Sequence, residues 1–110
     1  PVQALASARR AALDKFNRGQ RFGESKEVLL PQMIILYENG AMLHDIERSI
    51  DRVSKSERIP RRLALQRRRD MIRLWREMRR AVTPEGHQKR QENLRAIRKE
   101  KREEKRRLRQ

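Results

Sequence analysis

Apolar residues recur along the chain in short groups separated by glycine, proline and charge. In the first group, Leu5, Ala8, Ala12, Leu13 and Phe16 share one face of a helix predicted from Gln3 to Arg18. Gly19 is the natural stop, and Gly23 prolongs the break. The second group, Val28 to Tyr37, is a nearly continuous apolar run whose periodicity fits a buried strand or a buried helix equally well. Pro31 decides for a helix, because proline suits a first turn and not a central strand. This predicts a short helix from Pro31 to Glu38, closed by Asn39-Gly40 and buried on most sides. In the third group Leu43, Ile46, Ile50 and Val53 form one seam of a helix from Ala41 to Lys55.

The fourth group sorts its residues most sharply. On a helix from Pro60 to Val82, Leu63, Ala64, Met71, Leu74, Trp75, Met78 and Val82 fall in an arc of roughly 120°. Arg61, Arg62, Arg68, Arg69, Arg73, Arg76, Arg79 and Arg80 fall in an opposite arc of roughly 140°. Arg67 lies within the apolar arc, and Leu65 and Ile72 lie within the basic one. Thr83 then caps a further helix with Pro84 at its first position. Residues 87–110 carry 11 Lys/Arg and 4 Glu, with Leu94, Ala96, Ile97 and Leu108 as the apolar side chains. So little apolar surface does not fold a segment alone. A solvated or partner-bound single helix, or disorder in the free protein, is expected there. Three units follow: residues 1–27, an amphipathic helix and Gly-containing linker; 28–82, a small helical packing module; and 83–110, a basic helical extension. The fold class is all-α and extended, with four or five helices and a minor core within 28–82.

Charge adds a direction to this pattern. The 110 residues carry 30 Lys/Arg and 15 Asp/Glu, a net +15. Residues 1–57 hold 9 Lys/Arg against 8 Asp/Glu, whereas 58–110 hold 21 against 7. A nearly neutral front therefore precedes an intensely basic back, the pattern of a packing module with a polyanion-binding arm. An apolar fraction of 35% argues against an isolated enzyme with a deep closed pocket, and the absence of cysteine excludes a disulfide framework, thiolate zinc and thiol catalysis. His44 and His87 have no partner pattern for a nucleophile or a metal, and the dispersed glycines form no phosphate-binding loop. No enzyme activity, cofactor, metal or small-molecule substrate is expected.

Arginine's planar fork matches phosphate, and phosphate contacts dominate nucleic-acid affinity. The expected RNA-binding residues are the eight arginines of the basic arc (Arg61, Arg62, Arg68, Arg69, Arg73, Arg76, Arg79 and Arg80, without Arg67) together with Arg95, Arg98, Lys99, Arg102, Lys105 and Arg106. RNA is preferred to DNA because no helix-turn-helix, zinc finger or basic zipper is present. Only one of the four aromatics, Trp75, lies in the basic half, so backbone and shape recognition is expected rather than base stacking. Leu36, Leu43, Ile46, Ile50, Val53, Leu74, Trp75 and Met78 are expected to pack on neighbouring proteins. An anionic membrane surface competes for residues 60–82, but the 87–110 helix has almost no apolar face to insert.

Residues Ile72 to Ala81 (IRLWREMRRA) are similar to the motif of the small mitochondrial LYR-motif proteins, with Trp75 where that family has tyrosine. Fewer than thirty residues follow and none is phenylalanine, so the match is set aside as that of an Arg/Leu-rich helix. The Ala/Arg-rich start (Ala4 to Ala12), the short apolar module and the basic tail (Arg95 to Arg109) resemble the small Arg-rich helical accessory proteins of mitochondrial ribosomes. That resemblance implies burial among ribosomal RNA and neighbouring ribosomal proteins in the matrix. A cytoplasmic location is the alternative. The alternative function is a ribosome assembly factor, or a helical adaptor for an acidic protein or an anionic membrane. The Ala/Arg-rich start also looks like the tail of a transit peptide, and Pro1 without a preceding methionine suggests a processed or trimmed N-terminus.

Overall fold

A computed structural model describes residues 2–109; the reading of Pro1 lies outside them. The chain forms five helices: α1 (Val2–Arg21), α2 (Lys26–Glu38), α3 (Leu43–Ser56), α4 (Arg61–Ala81) and α5 (Pro84–Leu108). No strand occurs among the described residues. The all-α, somewhat extended character read from the sequence is what the structure has. Its radius of gyration is 15.3 Å, with extents of 47 × 33 × 18 Å. A compact chain of this length would have a radius near ~13 Å.

Helix α2 is the centre, touching α1, α4 and α5, while α3 covers α4 and reaches α1. The core joins Phe16 of α1 to Met33 and Leu36 of α2, Ile46 and Ile50 of α3, and Met71 and Met78 of α4. Phe16 is 0% exposed, so the core is not confined to 28–82: the amphipathic face of α1 is part of it. Three of these residues are methionines, whose flexible side chains fill the irregular gaps between crossing helices.

Two helix boundaries differ from expectation by three residues or more, and α3 starts at Leu43 instead of Ala41, after the extended residue Met42. Gly19 does not end α1 but lies buried within it. A Cβ there would come 2.5 Å from Leu29 Cδ2, so the missing side chain is what lets α2 approach α1. The turn falls at Gly23, with φ +68°. Helix α2 starts five residues before Pro31, after the extended residue Ser25, whose carbonyl accepts from Val28 and Leu29. Pro31 has no N–H for the Glu27 carbonyl. It is tolerated because its ring is exposed and that carbonyl lies in the first turn. The helix is apolar on nearly every side, yet Val28, Pro31 and Ile35 form an exposed stripe.

Candidate nucleic-acid interface

Helix α4 buries Met71, Leu74, Trp75 and Met78 and turns its arginines outward. Its first turn holds no acid, and its last turn holds Arg79 and Arg80, which favour the negative end of the helix dipole. Arg62, Arg69, Arg73, Arg76 and Arg80 are exposed and lie in one stripe about 27 Å long at 1.5 Å per residue. Arg61 and Arg79 are exposed on its flank.

Arg68 is the exception among the predicted arginines. It donates to Glu47 at 2.7 Å and lies 3.6 Å from Asp51, both on α3. The Glu47 hydrogen bond, with the charges of Asp51 and Glu47, raises its pKa. Arg68 thus joins α3 to α4 and is removed from the phosphate-binding set. Arg67, the cation in the apolar arc, is similarly absorbed: it lies 3.8 Å from Glu57.

Helix α5 opens as its sequence predicts, with the Thr83 side chain accepting from Gly86 N at 3.1 Å and Pro84 in the first turn. Its first half is not solvated on all sides. The Arg90 guanidinium donates to the carbonyls of Tyr37 (2.7 Å) and Ala41 (2.8 Å) and lies 4.3 Å above the Tyr37 ring. Asn93 donates to the Glu38 carbonyl at 2.8 Å, and Arg9 from α1 donates to Asn39 O at 2.7 Å. These groups cap the negative end of α2, whose own last turn has no basic residue. Tyr37 OH lies 2.8 Å from His87 Nδ1, so His87 is a packing residue rather than a cap or a free surface group. Beside them Leu94 and Ile97 close over Gly40, whose φ is +93° and where a Cβ would come 2.9 Å from Ile97 Cδ1.

From Arg98 onward every described residue of α5 is exposed. Arg95, Arg98, Lys99, Arg102, Lys105 and Arg106 are all exposed, and no ion pair among the described residues involves α5. Glu92 with Arg95, and Glu103 with Arg106 or Arg107, stand at helical contact spacing but form no ion pair. Thirteen of the fourteen predicted cations are therefore exposed and unpaired. Sequence reasoning passed over Lys101, Arg107 and Arg109 on the same arm, and Arg10, Lys15 and Arg18 on α1, all exposed. Lys15 and Arg18 could have been found from their three-residue spacing beside the apolar face.

The predicted protein-packing residues turn inward. Leu36, Ile46, Ile50, Leu74, Trp75 and Met78 are buried against one another, and Leu43 and Val53 are half-buried at the rim. They serve this chain's own core and are not free for a neighbour. The large apolar side chains left exposed are Phe22, Val28, Ile35, Met42, Leu63, Leu65 and Leu108. Among the described residues no group of three His, Cys, Asp or Glu could hold a metal ion, and no helix is long and apolar enough to cross a membrane. In comparisons with known proteins, no family model, curated protein or solved structure matches the chain.

Proposed function

We propose that this chain is a structural RNA-binding component of a large ribonucleoprotein, and that the particle is a mitochondrial ribosome. The observation that carries the reading is the set of thirteen exposed, unpaired cations on α4 and α5. The acids of the other helices are largely used elsewhere, and the glutamates of α5 form no ion pair with them. Glu47 and Asp51 hold Arg68, Glu57 meets Arg21 and Arg67, and Glu77 binds Lys26 at 2.9 Å. Unpaired cations at this density attract a polyanion and release its condensed counterions on binding. The mitochondrial assignment rests on the resemblance of type: an Ala/Arg-rich start, a small helical body and a basic helical tail.

In this role the body acts as a rigid holder. The core fixes α4, and the carbonyl-capping contacts fix the base of α5, so the α4 face and the direction in which α5 projects are set before RNA arrives. Neighbouring proteins would meet the exposed apolar stripe of α2 rather than the buried seam of α3 and α4. Reversing Arg69, Arg73, Arg76 and Arg80 to glutamate is expected to abolish co-sedimentation of the tagged protein with a ribosomal subunit from gently lysed organelles. Unchanged incorporation after a moderate-salt wash would overturn the phosphate-clamp role. Co-purification with one acidic protein after complete ribonuclease digestion, without rRNA, would favour the adaptor reading instead.

A further inference from the structure

The charges of α5 are sorted by face as well as by number. Arg95, Arg98, Lys99, Arg102, Lys105 and Arg106 fall within an arc of roughly 120°, about 17 Å long, that contains no acid. Glu92, Glu100, Glu103 and Glu104 occupy the adjoining arc, also roughly 120° wide, where they outnumber its two cations, Lys89 and Arg107. The third side carries Arg90, Asn93, Leu94 and Ile97, the residues that dock on α2 or close over Gly40. With Arg90 and Asn93 held by backbone carbonyls, α5 cannot roll about its axis. The direction in which the cation strip faces is therefore set by the body.

We infer that this strip is a rail for a single phosphodiester strand of RNA, which lies lengthwise along the outside of α5. The inference rests on the RNA-binding reading and specifies its geometry. A helix inserted into an RNA groove meets phosphates on both flanks, and it needs cations on both. Here the flank beside the strip carries these four carboxylates against two cations, Lys89 and Arg107, and no ion pair among the described residues neutralises the carboxylates. Phosphates on that flank would be repelled. On the strip itself, cations recur every three or four residues, a ladder with one rung per helical turn of about 5.4 Å. A strand running along the helix meets successive rungs with successive phosphates, while its bases face away from the protein. The rail reads backbone and shape, not sequence.

The test keeps composition constant and moves the charges. In the full chain, Arg98→Glu, Glu100→Arg, Arg102→Glu and Glu103→Arg together preserve the net charge of +15 and break the strip. Affinity is read by fluorescence anisotropy on a mixed-sequence RNA duplex and on one of its strands, over a range of salt. The swapped protein is expected to bind at least about tenfold more weakly, with a log–log salt slope smaller by about 1.5. Circular dichroism checks that its helix content is intact. A second variant, Glu100→Gln with Glu103→Gln and Glu104→Gln, raises the net charge by three on the acidic flank. A change of less than about threefold is expected for it, because that flank does not face phosphate.

Wild-type affinity in the swapped protein would overturn the rail, as would strong tightening in the glutamine variant, which would signify phosphates on both flanks. Equal competition by polyglutamate would overturn it too, because any polyanion would then suffice. If the wild-type chain bound neither RNA, the RNA-binding reading itself would fall, which is a different result from binding that ignores the swap.

Discussion

Arg90 shows how a cation in a basic helix can be structural. Burial pushes its pKa below the ordinary arginine value, Arg79 adds to this, and Tyr37 opposes it. Arginine keeps its charge regardless, so its five donors remain available to the carbonyls of Tyr37 and Ala41. Truncating it leaves the Ala41 carbonyl without a donor and the Tyr37 carbonyl with the N–H of Gly40 alone, and removes the contact with the Tyr37 ring. Arg90→Ala is expected to cost about 2–4 kcal/mol in chemical denaturation, from charge-assisted hydrogen bonds and the cation–π contact. A loss near that of an exposed arginine such as Arg62→Ala would contradict the anchoring role. Phe16→Ala, fully buried in α1, is expected to cost about 3–5 kcal/mol. A much smaller value would mean that α1 is not part of the core. Neither role is legible in the sequence. Arg90 is one of eleven basic residues in its segment, and only the fold shows that Tyr37 lies beneath it. Arg68 and Glu47 are 21 residues apart, and their pairing depends on the register between α3 and α4.

Among the elements, α3 and α4 were the most legible, because each buries one face and the 3.6-residue period survives in the sequence. Helix α2 was less so: apolar on nearly all sides, it offers no period, and the proline inside it suggested too late a start. Its true beginning also has an electrostatic signature. The Glu27 carboxylate is held below its ordinary 4.5 first by its own backbone N–H and then by the Ser25 hydroxyl. A carboxylate with a lowered folded pKa stabilises the fold above its unfolded value, and the contribution is lost as pH falls through the folded value. The start of α2 is therefore expected to fray below about pH 4.5 in the wild type. In Glu27→Gln that acid-dependent step should be missing, which amide chemical shifts of Val28 and Leu29 would register. Docking of α5 was hidden for another reason: Arg90 and Asn93 bind backbone carbonyls and His87 meets the Tyr37 hydroxyl, and polar anchors leave no hydrophobic pattern. Amide exchange is expected to divide this helix near Arg98, slow from about 88 to 97 and fast beyond. Uniformly fast exchange would mean that the base of α5 is not held.

At the scale of the molecule, the separation of a nearly neutral front from a basic back becomes a separation of roles. The ion pairs gather where α3 meets α4, α1 meets the α3–α4 turn and α2 meets α4. The unpaired cations remain on the outer face of α4 and the projecting half of α5. The overall bias was visible in composition; which cations stay free was not, because that depends on which acids the fold brings within reach. The most direct measurement is the salt dependence of the full chain's affinity for a structured ribosomal RNA fragment. It should be compared with the same chain carrying Ala at Arg69, Arg73, Arg76 and Arg80. If these arginines hold phosphates, affinity falls steeply with salt, and the variant's log–log slope is smaller by about 3. A shallow slope for the wild type, or equal slopes for both proteins, would contradict RNA binding through this face.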